Sequence, residues 1–185
     1  PLAIELAAAR INTFTTEQIA AWLSESLSLL TMGNRTALPR HQTLQAAIDW
    51  SYDLLPPAEQ TLFQRLSVFV DGWNLKAAES ICSDANLKYE AISDLLTQLI
   101  NKSLVIVSGD LERTRYRMLE TVRQFVLEEM MEDEVAEWHD RHCGHYLQLA
   151  EALRPQLARA ERPSALATFD LERENMARAI DWAIA

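Results

Sequence analysis

AISDLLTQLINKSLVIVSGDLERTRYRM, residues 91–118, changes its hydrophobic period half-way along, and that change decides the fold. In the first half Ile92, Leu95, Leu96 and Leu99 recur at spacings of three and four, which is one apolar face of a helix. In the second half LVIV (Leu104–Val107) and RYRM (Arg115–Met118) flank the polar turn SGDLERT, and this pattern predicts a β-hairpin. Upstream, Leu75–Cys82 reads as a short helix. Before it, Gly72 closes a helix carrying Leu62, Phe63, Leu66 and Phe69. Pro56–Pro57 stops an earlier helix, capped by Thr43 and bearing Leu44, Ala47, Ile48, Tyr52 and Leu55, while Pro57 suits the first turn of the next. Several helices followed by a single hairpin make a winged-helix arrangement. The segment Tyr89–Asn101 then occupies the place of a DNA-reading helix.

Outward from this centre the chain is helical in both directions. Residues 1–30 read as short helices, one with Leu2, Leu6 and Ala9 on one side and one capped by Thr16 with Ile19 and Leu23. TMGNRTALPRHQT, with Gly33 and Pro39, reads as a linker. Beyond the hairpin, Val122, Phe125, Val126 and Met130 restore the helical period, and Val135, Trp138, His142, Tyr146, Leu149 and Leu153 extend it. RPQLARAERPS reads as a break, with a last helix from near Asp170. The expected fold is mainly α: a helical subdomain over 1–34, a winged helix over 35–130, and over 131–185 the start of a TPR-like helical superhelix.

Composition bounds the function. The 17 basic and 27 acidic residues give a formal charge of −10, and residues 35–130 alone carry 10 basic against 13 acidic. Nucleic-acid affinity comes largely from neutralising phosphates, so this balance argues against a free-standing DNA binder. The four glycines, at 33, 72, 109 and 144, are too scattered to make a phosphate-cradling loop. Two cysteines, Cys82 and Cys143, suggest no disulfide framework and fit a reducing cytoplasm. No apolar run approaches the roughly 20 residues of a membrane span. The opening lacks the pattern of a secretion leader, and both ends read as cut from a longer chain.

The segments PLAIELAAAR, RTALPRHQTLQAAIDWSYDLLPPAEQTLFQRLSVF, LINKSLV and RYRMLETVRQF, in this order, resemble the bacterial STAND-type signalling ATPases, many of them fused to antibiotic-regulator or LuxR-type DNA-binding domains. The resemblance covers most of the chain and is strongest from Arg35 to Phe125. It implies an upstream P-loop ATPase core binding ATP or ADP, followed by a helical subdomain, a winged helix and a helical sensor. Pro1 would match the proline beside the adenine. Met118-Leu119-Glu120 falls where related ATPases carry Met-His-Asp, whose histidine touches the β-phosphate. Leu119 has no hydrogen-bonding group, whereas Glu120 keeps the acidic third position. The resemblance implies that this segment has no catalytic residues or cofactor of its own. Its implied partners are the upstream ATPase domain and an inducer or protein at the C-terminal helices. DNA would be contacted through another domain, and no membrane is involved.

Several groups remain as candidates. Arg113, Arg115 and Arg117 alternate along the hairpin and should share one face, as a phosphate contact, a DNA-backbone contact or a solvated face beside Asp110 and Glu112. The helix in the reading position bears Glu90 and Asp94, which would repel phosphate, so it is expected to pack against protein. WHDRHCGHY holds His139, His142, Cys143 and His145. A zinc site is possible from the spacing of His139 and Cys143, but histidines of a helix interface explain the pattern without metal. Asp49 and Asp53 read as an acidic edge, and Arg40 and His41 as linker residues. The expected role is regulatory, with the winged helix coupling the nucleotide state to the sensor helices. A DNA-binding winged helix and a helical interaction scaffold stand as alternatives.

Overall fold

The computed structural model describes residues 8, 11, 14–21, 47–109, 114–130, 132–158 and 161–185. The linker, Thr43 and the expected boundary near residue 34 lie outside them. Residues 16–21 form a helical segment whose cap is Thr15, not the expected Thr16. Its hydroxyl accepts from Gln18 N at 3.3 Å and the Gln18 side chain accepts from Thr15 N at 2.9 Å, a reciprocal box that satisfies two end donors.

Residues 47–53 are helical and bury Ala47, Ile48 and Trp50. Helix α1 (Pro57–Leu66) then starts with a proline in its first turn, as expected, because the first turn has no partner for a backbone N–H. It ends at Leu66, where the Ser67 hydroxyl donates to Gln64 O at 2.6 Å. Phe69 therefore lies beyond the helix rather than on it, yet it is buried and stacks on Trp73 at 5.0 Å. Helix α2 (Leu75–Cys82) is capped by Asn74, whose Oδ1 accepts from Ala77 N at 2.9 Å. A 3-10 turn (Tyr89–Ala91) leads into α3 (Ile92–Asn101), which buries Ile92, Leu96 and Leu99.

Strands β1 (Ile106–Ser108) and β2 (Arg115–Arg117) pair antiparallel with Val107 opposite Tyr116. The hairpin begins two residues later than the sequence pattern suggests, because Leu104 and Val105 turn into the core. The sequence gives no sign of a third participant. Trp73 N donates to Tyr116 O and Tyr116 N to Trp73 O, both at 2.8 Å, so a single residue serves as a third strand on the other edge of β2. Gly72 makes this approach possible: a Cβ there would sit 2.8 Å from Tyr116 O. A Gly72→Ala variant should lower the unfolding free energy by about 1–3 kcal/mol through this backbone clash, measurable by urea titration.

Helix α4 (Glu120–Glu129) and the long α5 (Glu132–Leu153) follow, and a 3-10 turn (Arg154–Ala158) ends α5. The expected break over 154–164 is shorter than the sequence implies. Helix α6 (Arg162–Leu171) starts with Pro163 in its first turn, and a second interruption, at Glu172, precedes α7 (Arg173–Ile184). One apolar cluster runs from Ala47 through Phe63, Trp73, Leu96 and Phe125 to Trp138, Tyr146 and Ala179. The three-helix-plus-hairpin unit and the C-terminal helices thus share a core, with α5 packed on both α2 and α7.

Candidate functional site

Helix α3 decides whether the hairpin unit can read nucleic acid. Its burial stripe leaves Ser93, Asp94, Thr97, Gln98 and Asn101 exposed. This outer face has hydroxyls, amides and one carboxylate but no cation. Lys102, just after the helix, is drawn back by an ion pair with the buried Glu59 of α1. Tyr89 and Lys88 stand exposed before the helix.

The arginines of the hairpin do not act alike. Arg113 lies outside the described residues. Arg117 is exposed. Arg115 is turned toward the C-terminal helices, where it forms an ion pair with Glu172 and donates from Nη2 to Gly72 O at 2.8 Å. Glu172 is 3% exposed, so this is a buried pair rather than a surface one. Around it a polar network closes. Tyr146 Oη donates to Glu172 Oε2 at 3.1 Å, and Asn175 Nδ2 donates to the same oxygen at 3.2 Å and to Gly72 O at 2.7 Å. Asn175 Oδ1 accepts from Val70 N at 2.9 Å and lies 3.3 Å from His142 Nε2. Four separate stretches meet here: the loop after α1, β2, α5 and the α6–α7 junction.

Two of the clustered histidines pack between helices. His142 is buried against Tyr146 and Phe69, with ring centroids at 4.6 and 5.6 Å, and His139 stacks on Trp182 at 4.8 Å. No cluster of three metal-ligating side chains occurs among the described residues. Burial, with lesser repulsion from Arg178, Arg123 and the neighbouring histidines, pushes both His139 and His142 down to about 4. An unfolded histidine takes up its proton near pH 6.5. The unfolded chain therefore binds more protons than the folded one between pH 6.5 and 4. Stability should be full above that window and fall as pH drops through it, by at most about 1.4 kcal/mol per pH unit for each ring. Asp49, raised to about 6 by burial and then by Glu129 and Asp53, contributes with the opposite sign. Urea midpoints at pH 7 and pH 5 in an Asp49→Asn background isolate the histidine part; equal midpoints would refute it.

The remaining expected positions are placed as follows. Leu119 is the residue before α4, and Glu120 opens that helix, held by Arg123 at 2.7 Å. The Arg123 hydrogen bond holds the Glu120 carboxyl below its ordinary range. Arg123 also donates to Ser67 O at 3.3 Å, so Glu120 belongs to a brace between α4 and α1. Pro1, Arg40 and His41 lie outside the described residues. The sequence reading missed Glu172 and Asn175. The available signal was their spacing of three, on the face of α7 that also carries Ala179.

The order helix, edge residue, helix, helix, hairpin is now complete, and a family profile described as a winged helix-turn-helix domain matches residues 55–130. These residues form a winged helix-turn-helix domain. Across 98% of its length the chain is 41% identical to a protein of Mycobacterium tuberculosis named "Putative HTH-type transcriptional regulator", and to one of the same description in Mycobacterium bovis. An uncharacterized protein of Mycobacterium tuberculosis is 36% identical over 133 residues, 71% of this chain and 34% of that protein. The chain spans 20% of the length of the two named regulators. Among the described residues, no helix is long and apolar enough to cross a membrane.

Proposed function

We propose that this chain is a non-catalytic regulatory segment of a cytoplasmic HTH-type transcriptional regulator, in which the winged helix serves as a docking element. The carrying observation is that Arg115, a half-buried wing cation, forms an ion pair with the buried Glu172 beside the C-terminal helices. A wing that contacts DNA keeps its cations toward solvent; this one commits one of them to its own chain. The uncharged and acidic outer face of α3 supports the same reading.

In the whole protein, the resemblance to STAND-type ATPases supports an upstream nucleotide-binding core whose ATP or ADP state changes how the winged helix is docked, with the C-terminal helices relaying an inducer or partner signal. Such a device works through differential contact with two states. DNA is then contacted through another domain. A second reading, direct DNA binding, draws on the exposed Arg117 and on the exposed amides of Gln98 and Asn101. Anisotropy with a labelled duplex separates the two. We expect no binding tighter than about 100 μM at 150 mM salt, the weak end of non-specific association. Micromolar binding that is lost in Arg117→Ala would replace the docking reading with the second one.

A further inference from the structure

Beside the buried network, an open cleft of about 410 Å³ lies between β2 and α6, lined by Asn74, Thr114, Arg115, Ser164 and Thr168 over apolar Ala167 and Leu171. In a chain with a formal charge of −10, this described lining holds a guanidinium and no carboxylate. We propose that the cleft is a regulatory site for a small oxyanion, a carboxylate or phosphate group, which shares the Arg115 guanidinium with Glu172 and so loosens the C-terminal helices from the wing.

Three observations carry this. First, Arg115 belongs both to the cleft and to the network, so a ligand in the cleft meets the group that fastens the two parts. Its Nη atoms hold Glu172, Gly72 O and Leu171 O, while Nε makes no hydrogen bond among the described residues. A guanidinium fixed on one side and open on another is pre-organised for a planar or tetrahedral oxyanion. Second, the rest of the lining offers donors at its rim. Ser164 is exposed, and Asn74 spends Oδ1 on its helix cap while Nδ2 stays available. Third, the network survives a weakened Arg115. Gly72 O keeps its bond from Asn175, and Glu172 keeps those from Tyr146 and Asn175. The ligand therefore acts on the fastening between wing and helices while the other bonds of the joint remain.

The inference rests on the docking reading above but fails separately from it. The test is amide NMR of the full 185-residue chain titrated with inorganic phosphate, and in a parallel arm with acetate, at ionic strength held constant with sodium chloride. The expected result is saturable shifts at Thr114, Ser164 and Thr168, with faster hydrogen exchange in α7. Binding of the anion seen in only one arm assigns the site to that class. In Glu172→Gln the guanidinium loses its rival carboxylate, and binding should tighten at least threefold. Ala167→Glu, at an exposed position of α6, places a carboxylate in the cleft and should weaken binding at least tenfold. No saturable shifts with either anion in the parent and in Glu172→Gln would overturn the site, as would binding indifferent to Ala167→Glu. The DNA titration of the docking reading is unaffected by either result.

Discussion

A Trp73→Ala chain is expected to unfold about 3–5 kcal/mol more easily than the parent, the usual cost of emptying a large aromatic site in a core. Trp73 is 1% exposed, stacks on Phe69, and supplies the backbone pairing on the outer edge of β2. Removing its ring takes packing from the shared core at the point where the winged helix and α5 meet, since Phe69 also touches His142. Trp73→Phe should cost much less, because the buried indole N–H makes no hydrogen bond and nothing polar is orphaned by its loss. Urea unfolding followed by far-UV circular dichroism distinguishes the pair. A small loss for Trp73→Ala would mean that the shared core is not continuous through this residue.

The second large effect concerns charge. Arg115→Ala should also cost about 3–5 kcal/mol, because Glu172 then remains buried without its cation. The penalty comes from the stranded carboxylate, so Arg115→Ala paired with Glu172→Gln should recover much of it. Arg117→Ala, on the same strand but exposed, should stay within about 0.5 kcal/mol of the parent, as surface changes usually do. This contrast is specific. Both arginines occupy the same strand in an alternating pattern, and only their partners differ.

That pattern marks the limit of what the sequence makes legible. Helix α2 and the apolar face of α3 can be read directly, since Ile92, Leu96 and Leu99 are buried by their period alone. Pro57 fixes the start of α1 by backbone chemistry. The packing of His142 follows from its position on the stripe with Trp138 and Tyr146, whereas the burial of His139 against Trp182 depends on a contact with α7 that the stripe does not show. The edge pairing of Trp73 with Tyr116 cannot be read this way, because one residue has no period and its partner lies 43 positions away in sequence. The same holds for Arg115, whose alternation with Arg117 is visible but whose partner across the joint is not. Helix α6 was hidden behind two prolines, although Pro163 stands in a first turn where proline is tolerated. In each case the missing information is a long-range contact or the phase of a turn, neither of which local hydrophobic period encodes.

Arg115 and Glu172 fasten the wing to the C-terminal helices. A double-mutant cycle with Arg115→Met and Glu172→Gln, read as unfolding free energies in urea, measures this fastening most directly. The expected coupling is at least about 1.5 kcal/mol, within the range for groups sharing one buried network. Additive losses, within about 0.3 kcal/mol of the sum of the single variants, would contradict it.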